Sequence, residues 1–558
     1  MSILHASRLL FAALVLLLSH AAQAALFRVG SDAACQYATP AAAIAAAQAN
    51  GSGSDLILLS GDFSGVAVTI ETPVEIYGGY ANCSAPNATG KSLMIGTNGI
   101  SPVLDIISTE VTLNGLHVQG ATSLPPRVLY GGGIAVTNAV VYLRNMEISQ
   151  GLAKLGGGIA VVGHSSVLVI YDQVEIHHNY AYEGGGIYVG EALMRASYQD
   201  LSIHNNTAER DSQTFEGGHG GGIYVSGGST WPGNIEIISL DASPPILGAR
   251  ISDNSARSGG GGAYVTNNAS MSAYETAIER NQTDGIGGGV MVYNVGDFSL
   301  ARRESVAGVF VKNCSETCAR LNDNFAQEGG GAVMTMVGSS RIVQAQVIGN
   351  RSNHGGSAFH FGNIANATQT NRLVLDGVVV AKNNCDVGTN QWRPCAVYST
   401  VGSDVIELRH VTQVQNHLAN PPTADFRFNG TEQLSVINSI LIPDASSANV
   451  IFGSYLVGAM DCNLYSRGTF GSRPISGSAV FVDAATNDYR LSTSGTVSAG
   501  IDTCDASFLG EPDNWYSDPA LQPRGQNLPN VGASSGTLHD VGAYEAMPSL
   551  PFGDGFED

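Results

Sequence analysis

The sequence predicts an all-β fold, a single-stranded parallel β-helix whose coils stack as a solenoid behind a short N-terminal capping helix. Three observations carry that reading. First, a phrase of one apolar residue, two variable residues, Asn, one residue and a small residue recurs from Ile176, Ile203, Ile251, Ile278, Leu321 and Val347. It sets Asn179, Asn206, Asn254, Asn281, Asn324 and Asn350 in a series with steps of 27, 48, 27, 43 and 26 residues. Second, a glycine run and an apolar strand follow each Asn, as in Gly184-Gly185-Gly186-Ile187-Tyr188-Val189. Third, the two long steps equal one coil plus insertions of about 21 and 16 residues, and a fixed period with insertions confined to one part of the unit marks a solenoid.

Taken in order, residues 1–24 read as a secretory leader. Arg8 supplies the positive charge, Leu9–Leu18 the apolar run and Ala22-Gln23-Ala24 a small-residue cleavage site. Residues 25–60 form the N-terminal cap, with Thr39-Pro40 opening a short alanine-rich helix over Ala41–Ala49. Residues 61–477 are the repeats. Their strands alternate, so Ile187 and Val189 face inward and Tyr188 outward. The recurrent Asn falls at a corner, where Asn tolerates left-handed backbone and its amide can donate to one neighbouring coil and accept from the other. Inserts near 227–248, 300–319 and 383–396 read as loops. Residues 478–546 close the solenoid, and residues 547–558 are an acidic tail.

The paired phrases resemble the Phe-x-x-Asn and Gly-Gly-Ala-Ile signatures of the polymorphic outer membrane proteins, relaxed here to Ile/Leu/Val-x-x-Asn and Gly-Gly-Gly-Ile/Ala/Val over about 148–361. That resemblance implies a right-handed parallel β-helix on a cell surface. The family's membrane-spanning β-barrel has no counterpart here, because no series of alternating ten-residue strands follows about 480. Ala479–Asp483, Asp488–Leu491, Ala499–Asp502 and Asp540–Glu545 resemble, in order, the closing region of β-helix proteins called choice-of-anchor Q. This implies a distal cap on a surface or secreted protein with a variable tail, and the ending Asp554-Gly555-Phe556-Glu557 resembles that of exported bacterial proteins of this sort.

The chain carries a formal charge of −21, and loss of Arg8 with the leader makes it −22. Four lysines in 558 residues exclude nucleic acid and anionic membrane as partners. The acidic balance is compatible with calcium, but no motif sets a metal or cofactor site. No segment of the mature chain is long and apolar enough to be a transmembrane helix. Eight cysteines in a chain bound for export favour disulfides, with Cys35 and Cys83, Cys314 and Cys318, Cys385 and Cys395, and Cys462 and Cys504 as the neighbouring pairs. Oligomeric state is not encoded in any pattern.

No complete catalytic set is present. His177 and His204 fall one coil apart at the same repeat position, a placement that serves metal binding or proton transfer as well as a solvated ladder. Asp253 and Glu279 are a carboxylate pair on adjacent coils, and surface charge explains them equally. The strongest signal is Tyr188, Tyr224 and Tyr264. With Met291, Val333 and Phe359 they take the outward position of successive strands, and stacked aromatics on an exposed sheet either bind sugar rings or stiffen the sheet by lateral stacking. The reading is an exported surface or secreted protein with a structural, adhesive or glycan-binding role and glycans or cell-surface components as partners. The alternative is a polysaccharide lyase or glycoside hydrolase of the pectin-lyase-like fold.

Overall fold

A computed structural model describes residues 24–544, apart from 52, 98–99, 121–126, 198–200, 239–248, 302–318, 365–369, 386–393, 401–403, 419–423, 444–448, 468–470, 495, 502 and 506–537. The expected leader as far as residue 23, the expected pair Cys314 and Cys318, and residues from 545 lie outside the described residues. Among the described residues there is one α-helix, Pro40–Asn50, and most of the remaining regular structure is strand. The Thr39 hydroxyl accepts from the Ala42 amide at its start, and Gly51 closes its end at φ 60°. Its buried Ala43, Ile44 and Ala47 face the strands Leu26–Val29 and Asp55–Ser60.

One repeat shows the plan. Strands Ile187–Gly190, Leu193–Ser197 and Leu201–His204 follow one another, then the two-residue strand Thr207–Ala208. Each pairs in parallel with its equivalent in the next repeat: Ile187 with Ile223, Leu193 with Asn234, Leu201 with Ala249, and Thr207 with Ser255. The principal sheet holds 36 strands and the two-residue strands make a sheet of 8. The protein is thus all-β with parallel strands, an arrangement compatible with a solenoid. The two exceptions among the described strands are short antiparallel pairs near the C-terminus, Phe481–Asp483 with Asp488–Leu491 and Cys504–Asp505 with Leu538–His539. No helix among the described residues is long and apolar enough to cross a membrane.

Alternation puts Ile159, Val161, Ile187, Val189, Ile223, Val225, Ile176, Ile203 and Ile251 in the interior, each fully buried. Complete burial of such a side chain stabilises by roughly 1.5–3 kcal/mol, so every repeat adds its own share of core.

The asparagines form one hydrogen-bonded column. Nδ2 of Asn179, Asn206, Asn254, Asn281 and Asn324 donates to Oδ1 of the next Asn at 2.9–3.0 Å. The column continues through Asn350, Asn383 and Asn416. The other amide proton of Asn281 goes to the Ile251 carbonyl, and its Oδ1 accepts from both the backbone and the side-chain nitrogen of Asn254. Two donors and two accepted bonds exhaust what an amide can make, which is why a fully buried Asn is stable there. The left-handed backbone, however, does not fall on these asparagines. It falls one residue earlier, at His178, Asn205, Asp253, Arg280 and Asp323, with φ between 53° and 56°. Asn is required for its side chain, and the residue before it makes the corner.

The glycine run makes the opposite corner. Gly184 has φ 65°, and a Cβ on Gly185 would lie 2.4 Å from the Gly221 carbonyl oxygen of the next repeat. The third glycine is replaced by Ala332 and Ala358 in later repeats, which shifts the outward position by one residue. Val333 pairs with Val290, and Phe359 with Val333. Both face the interior, so the outward residues there are Met334 and His360.

Cys35–Cys83, Cys385–Cys395 and Cys462–Cys504 are disulfide-bonded. The last ties the C-terminal segment to the final repeats. That segment does not stop at the last repeat: it turns back along the flank. Tyr489, Ala543 and Tyr544 bury against Ile348, Val379, Ala381 and Val414, while Leu491, Ile501 and Val541 bury against Ile440 and Leu464. The Ala543 amide donates to the Thr412 hydroxyl, and Lys382 Nζ to the Ala485 carbonyl and Asn487 Oδ1.

Candidate functional site

The flank that receives the C-terminal segment is the outer face of the sheet built from the third strand of each repeat. One row across it reads Gln119, Ser149, His177, His204, Ser252, Glu279, Asn322, Ile348 and Ala381. It is polar as far as Asn322 and apolar from Ile348, where the cover begins.

The histidines predicted to stack do so. The rings of His177 and His204 are 5.2 Å apart and 9° from parallel. His177 Nε2 lies 3.3 Å from Glu147 Oε1, and His204 Nε2 lies 2.8 Å from Glu175 Oε1. His117 also reaches Glu147 Oε1, at 3.3 Å, and Ser149 Oγ at 2.8 Å. Burial, then the charges of His177 and His204, pushes the His178 imidazole down. For Glu175 burial acts upward, but the hydrogen bond from His204 and the charge of His177 outweigh it and hold the carboxyl low.

Asp253 and Glu279 do not form a free carboxylate pair, because Arg280 lies between them. It grips Asp253 with Nε and Nη2, both at 2.9 Å, and reaches Glu279 with Nη1 at 3.0 Å. Arg320 Nε adds a 2.9 Å bond to Glu279. Burial raises both carboxyls, but the arginine hydrogen bonds exceed it and the net shift is downward. A general acid must hold its proton near the working pH, and these two groups are held ionised.

The tyrosines are stacked but not open. Tyr188 and Tyr224 lie 5.4 Å apart and Tyr224 and Tyr264 5.2 Å apart, all within 9° of parallel. Yet Tyr224 and Tyr264 are only 8 % and 7 % exposed. The chain between the Asn corner and the glycine corner folds over them, through the bridged residues Glu183, His219, Gly259 and Ile286. The His219 ring sits 4.7 Å from that of Tyr264. Burial, then Arg210, pushes this imidazole down to about 4. The expected exposed sugar platform is therefore covered at Tyr224 and Tyr264, with Tyr188 part-exposed at its end.

An open aromatic surface exists elsewhere, on the outer face of the second-strand sheet in the early repeats. Tyr77, Thr112, Asn114, Tyr142, Arg144 and Tyr171 line a recess of about 260 Å³. Register brings them together: Tyr77 pairs with Asn114, Asn114 with Arg144, and Thr112 with Tyr142. The Tyr142 and Tyr171 rings stack at 6.1 Å and 15°, and the Arg144 guanidinium carbon lies 5.1 Å over Tyr171. The Tyr77 hydroxyl donates to Glu75 at 3.1 Å. Burial and then Glu75 raise the Tyr77 phenol, and burial and then Glu110 raise that of Tyr142, so both remain hydrogen-bond donors at neutral pH. A signal for this site was present. Glu75 and Tyr77, Thr112 and Asn114, and Tyr142 and Arg144 alternate with buried Val74, Ile76, Val111, Leu113, Val141 and Leu143. Gly131–Gly133 and Gly156–Gly158 open the repeats of Tyr142 and Tyr171, but Gly151 stands where an Asn would close the first of them, and the repeats of Tyr77 and Thr112 carry neither mark.

Neither a family model, nor a curated protein, nor a solved structure matches this chain.

Proposed function

We propose that this is an exported right-handed parallel β-helix that binds glycans through the recess at Tyr77, Tyr142 and Tyr171. The observation that carries the reading is the recess itself. Half-buried stacked rings present an apolar face, while Arg144, Asn114, Thr112 and the phenol hydroxyls supply donors and acceptors around it. Sugar rings need that pairing, an apolar face and a wet polar edge. The leader at 1–24, the three disulfides and the resemblance to surface β-helix repeats support export to a surface or the medium. Turnover of polysaccharide finds no support at Asp253 and Glu279, since both are paired to arginine.

The test is a panel of neutral and acidic polysaccharides and oligosaccharides, scored for retention of the mature chain and for product release. Retention without release is expected. Replacing Tyr142 and Tyr171 together with Ala removes two stacking contacts of about 1 kcal/mol each. Affinity then falls roughly thirtyfold, with the fold intact. Retention indifferent to that double change overturns the site. Product release abolished by Glu279→Gln overturns the non-catalytic reading.

A further inference from the structure

We propose that His177, His178 and His204 form a binding site for a borderline transition-metal dication, Zn2+ or Cu2+. The site lies on a different sheet face from the glycan recess and does not depend on it. Its basis is the direction of the ring nitrogens. His177 and His204 both turn Nε2 toward a carboxylate of the preceding repeat, Glu147 at 3.3 Å and Glu175 at 2.8 Å. A carboxylate only accepts, so the neutral ring carries its proton on Nε2 and its lone pair on Nδ1.

The surroundings agree with that tautomer at both positions. His177 Nδ1 lies 2.7 Å from Nδ1 of His178, and His204 Nδ1 lies 2.9 Å from the Asn205 side-chain amide, a donor. Each Nδ1 is therefore an acceptor at the edge nearest the Asn corner, and two such edges stack one repeat apart. Imidazole bound to metal through one nitrogen and to a carboxylate through the other is the usual construction of protein zinc sites.

His178 completes the set. It is exposed, and its ring is edge-on to His177 at 5.0 Å and to His204 at 6.4 Å. Among the described residues, the one trio of ligand-type side chains with atoms already within 4.8 Å of each other is Asp32, Cys35 and Cys83, whose cysteines are bonded together. The histidine site would close on an ion by rotation of the His178 side chain, with its proton exchanged through solvent from Nδ1 to Nε2 so that Nδ1 is offered. With metal–nitrogen bonds of about 2.0 Å in a tetrahedral site, an ion would take the place of the hydrogen bond between His177 and His178. Nitrogen donors select against Ca2+, which takes oxygen.

The fold supplies its own conservative substitutions. Ser149 occupies the place of His177 one repeat earlier, Asn205 that of His178 one repeat later, and Ser252 that of His204. The metal-stripped mature chain is titrated with Zn2+, and separately with Cu2+, against a chromogenic chelator, with circular dichroism as the fold control. One equivalent bound at micromolar affinity or better is expected. His178→Asn and His204→Ser each lower affinity at least tenfold. Glu147→Gln and Glu175→Gln lower it about 10–100-fold by releasing the ring that each orients. Excess Ca2+ does not compete. No saturable binding tighter than about 100 μM, affinity unchanged in His178→Asn and His204→Ser, or stoichiometric competition by Ca2+ each overturns the site.

Discussion

The outer face of the third-strand sheet is one continuous surface with two fates. From His117 to Asn322 it is polar and outside the described C-terminal cover, with His177 and His204 part-exposed and Ser252 and Glu279 buried among their polar neighbours. From Ile348 to Val414 it is apolar and covered by the chain's own C-terminal segment. The backbone does not distinguish them, since Asn322 and Ile348 are direct partners in the same parallel ladder and the asparagine column runs beneath both. Side-chain identity at one repeat position decides whether the face meets solvent or its own chain.

If the frame is common to both halves, breaking it must cost the same in each. Asn281→Leu, under the open half, and Asn383→Leu, under the covered half, each orphan a backbone carbonyl and two donors of the preceding Asn. At about 1–3 kcal/mol per buried unpaired group, each loses at least about 3 kcal/mol in urea denaturation. A large loss in one and none in the other divides the frame.

The halves also differ inside. In the repeats of the covered half, at the turn between first and second strands, Asp404 and Glu432 are buried and both accept from the hydroxyl of Ser399, at 2.7 and 2.8 Å. Burial pushes the Asp404 carboxyl up to about 6. A folded-state value above the unfolded one near 4 means that stability is full below about pH 4. It is lost as pH rises to about 6, by about 2–3 kcal/mol in total, and is flat beyond. Asp404→Asn removes that slope, and the midpoint measured across pH 4–7 shows it. An unchanged slope refutes the assignment.

The boundary itself can be moved. Ile348→Asn places the residue of the preceding repeat under the cover and forfeits about 2 kcal/mol of apolar burial. Limited proteolysis then cuts within 478–544 faster than in the native protein, with the repeats left whole. The smallest effect is expected in the open half. His178→Asn, copying Asn205, changes stability by no more than about 0.5 kcal/mol by denaturation midpoint, because both residues tolerate the left-handed corner.

The strand plan and the asparagine series were legible because a buried amide with four partners keeps Asn at one place in repeat after repeat, giving way only towards the ends, at Gly151 and Ser439. The corner conformation was not, since His178 and Arg280 adopt it as readily as Asn205, Asp253 and Asp323 do, so the position keeps no single residue type. Asn383 and Asn416 were missed because the glycine run after Asn383 becomes Pro394-Cys395-Ala396. The outward alternation of Tyr188, Tyr224 and Tyr264 was readable, but the turn lying over them is a packing fact between segments. The alternation behind the recess at Tyr142 is local, but the docking of Tyr489 and Tyr544 depends on contacts across many residues, Gln346 with Tyr544 being 198 positions apart. Such distances leave no local trace.

The asparagine column also has a direction. Every side chain passes its proton the same way, from Asn179 toward Asn416. Under tension along its length, such a column opens one rung at a time from an end, since each rung shields the next. The regular rungs are 26–27 residues apart, and each frees about 90 Å of chain when extended. A molecule fixed at one terminus and pulled at the other would lengthen repeat by repeat, with longer steps where the rungs are 33, 43 or 48 residues apart. It would behave as a ratcheted tether between two surfaces, yielding by the repeat and not all at once.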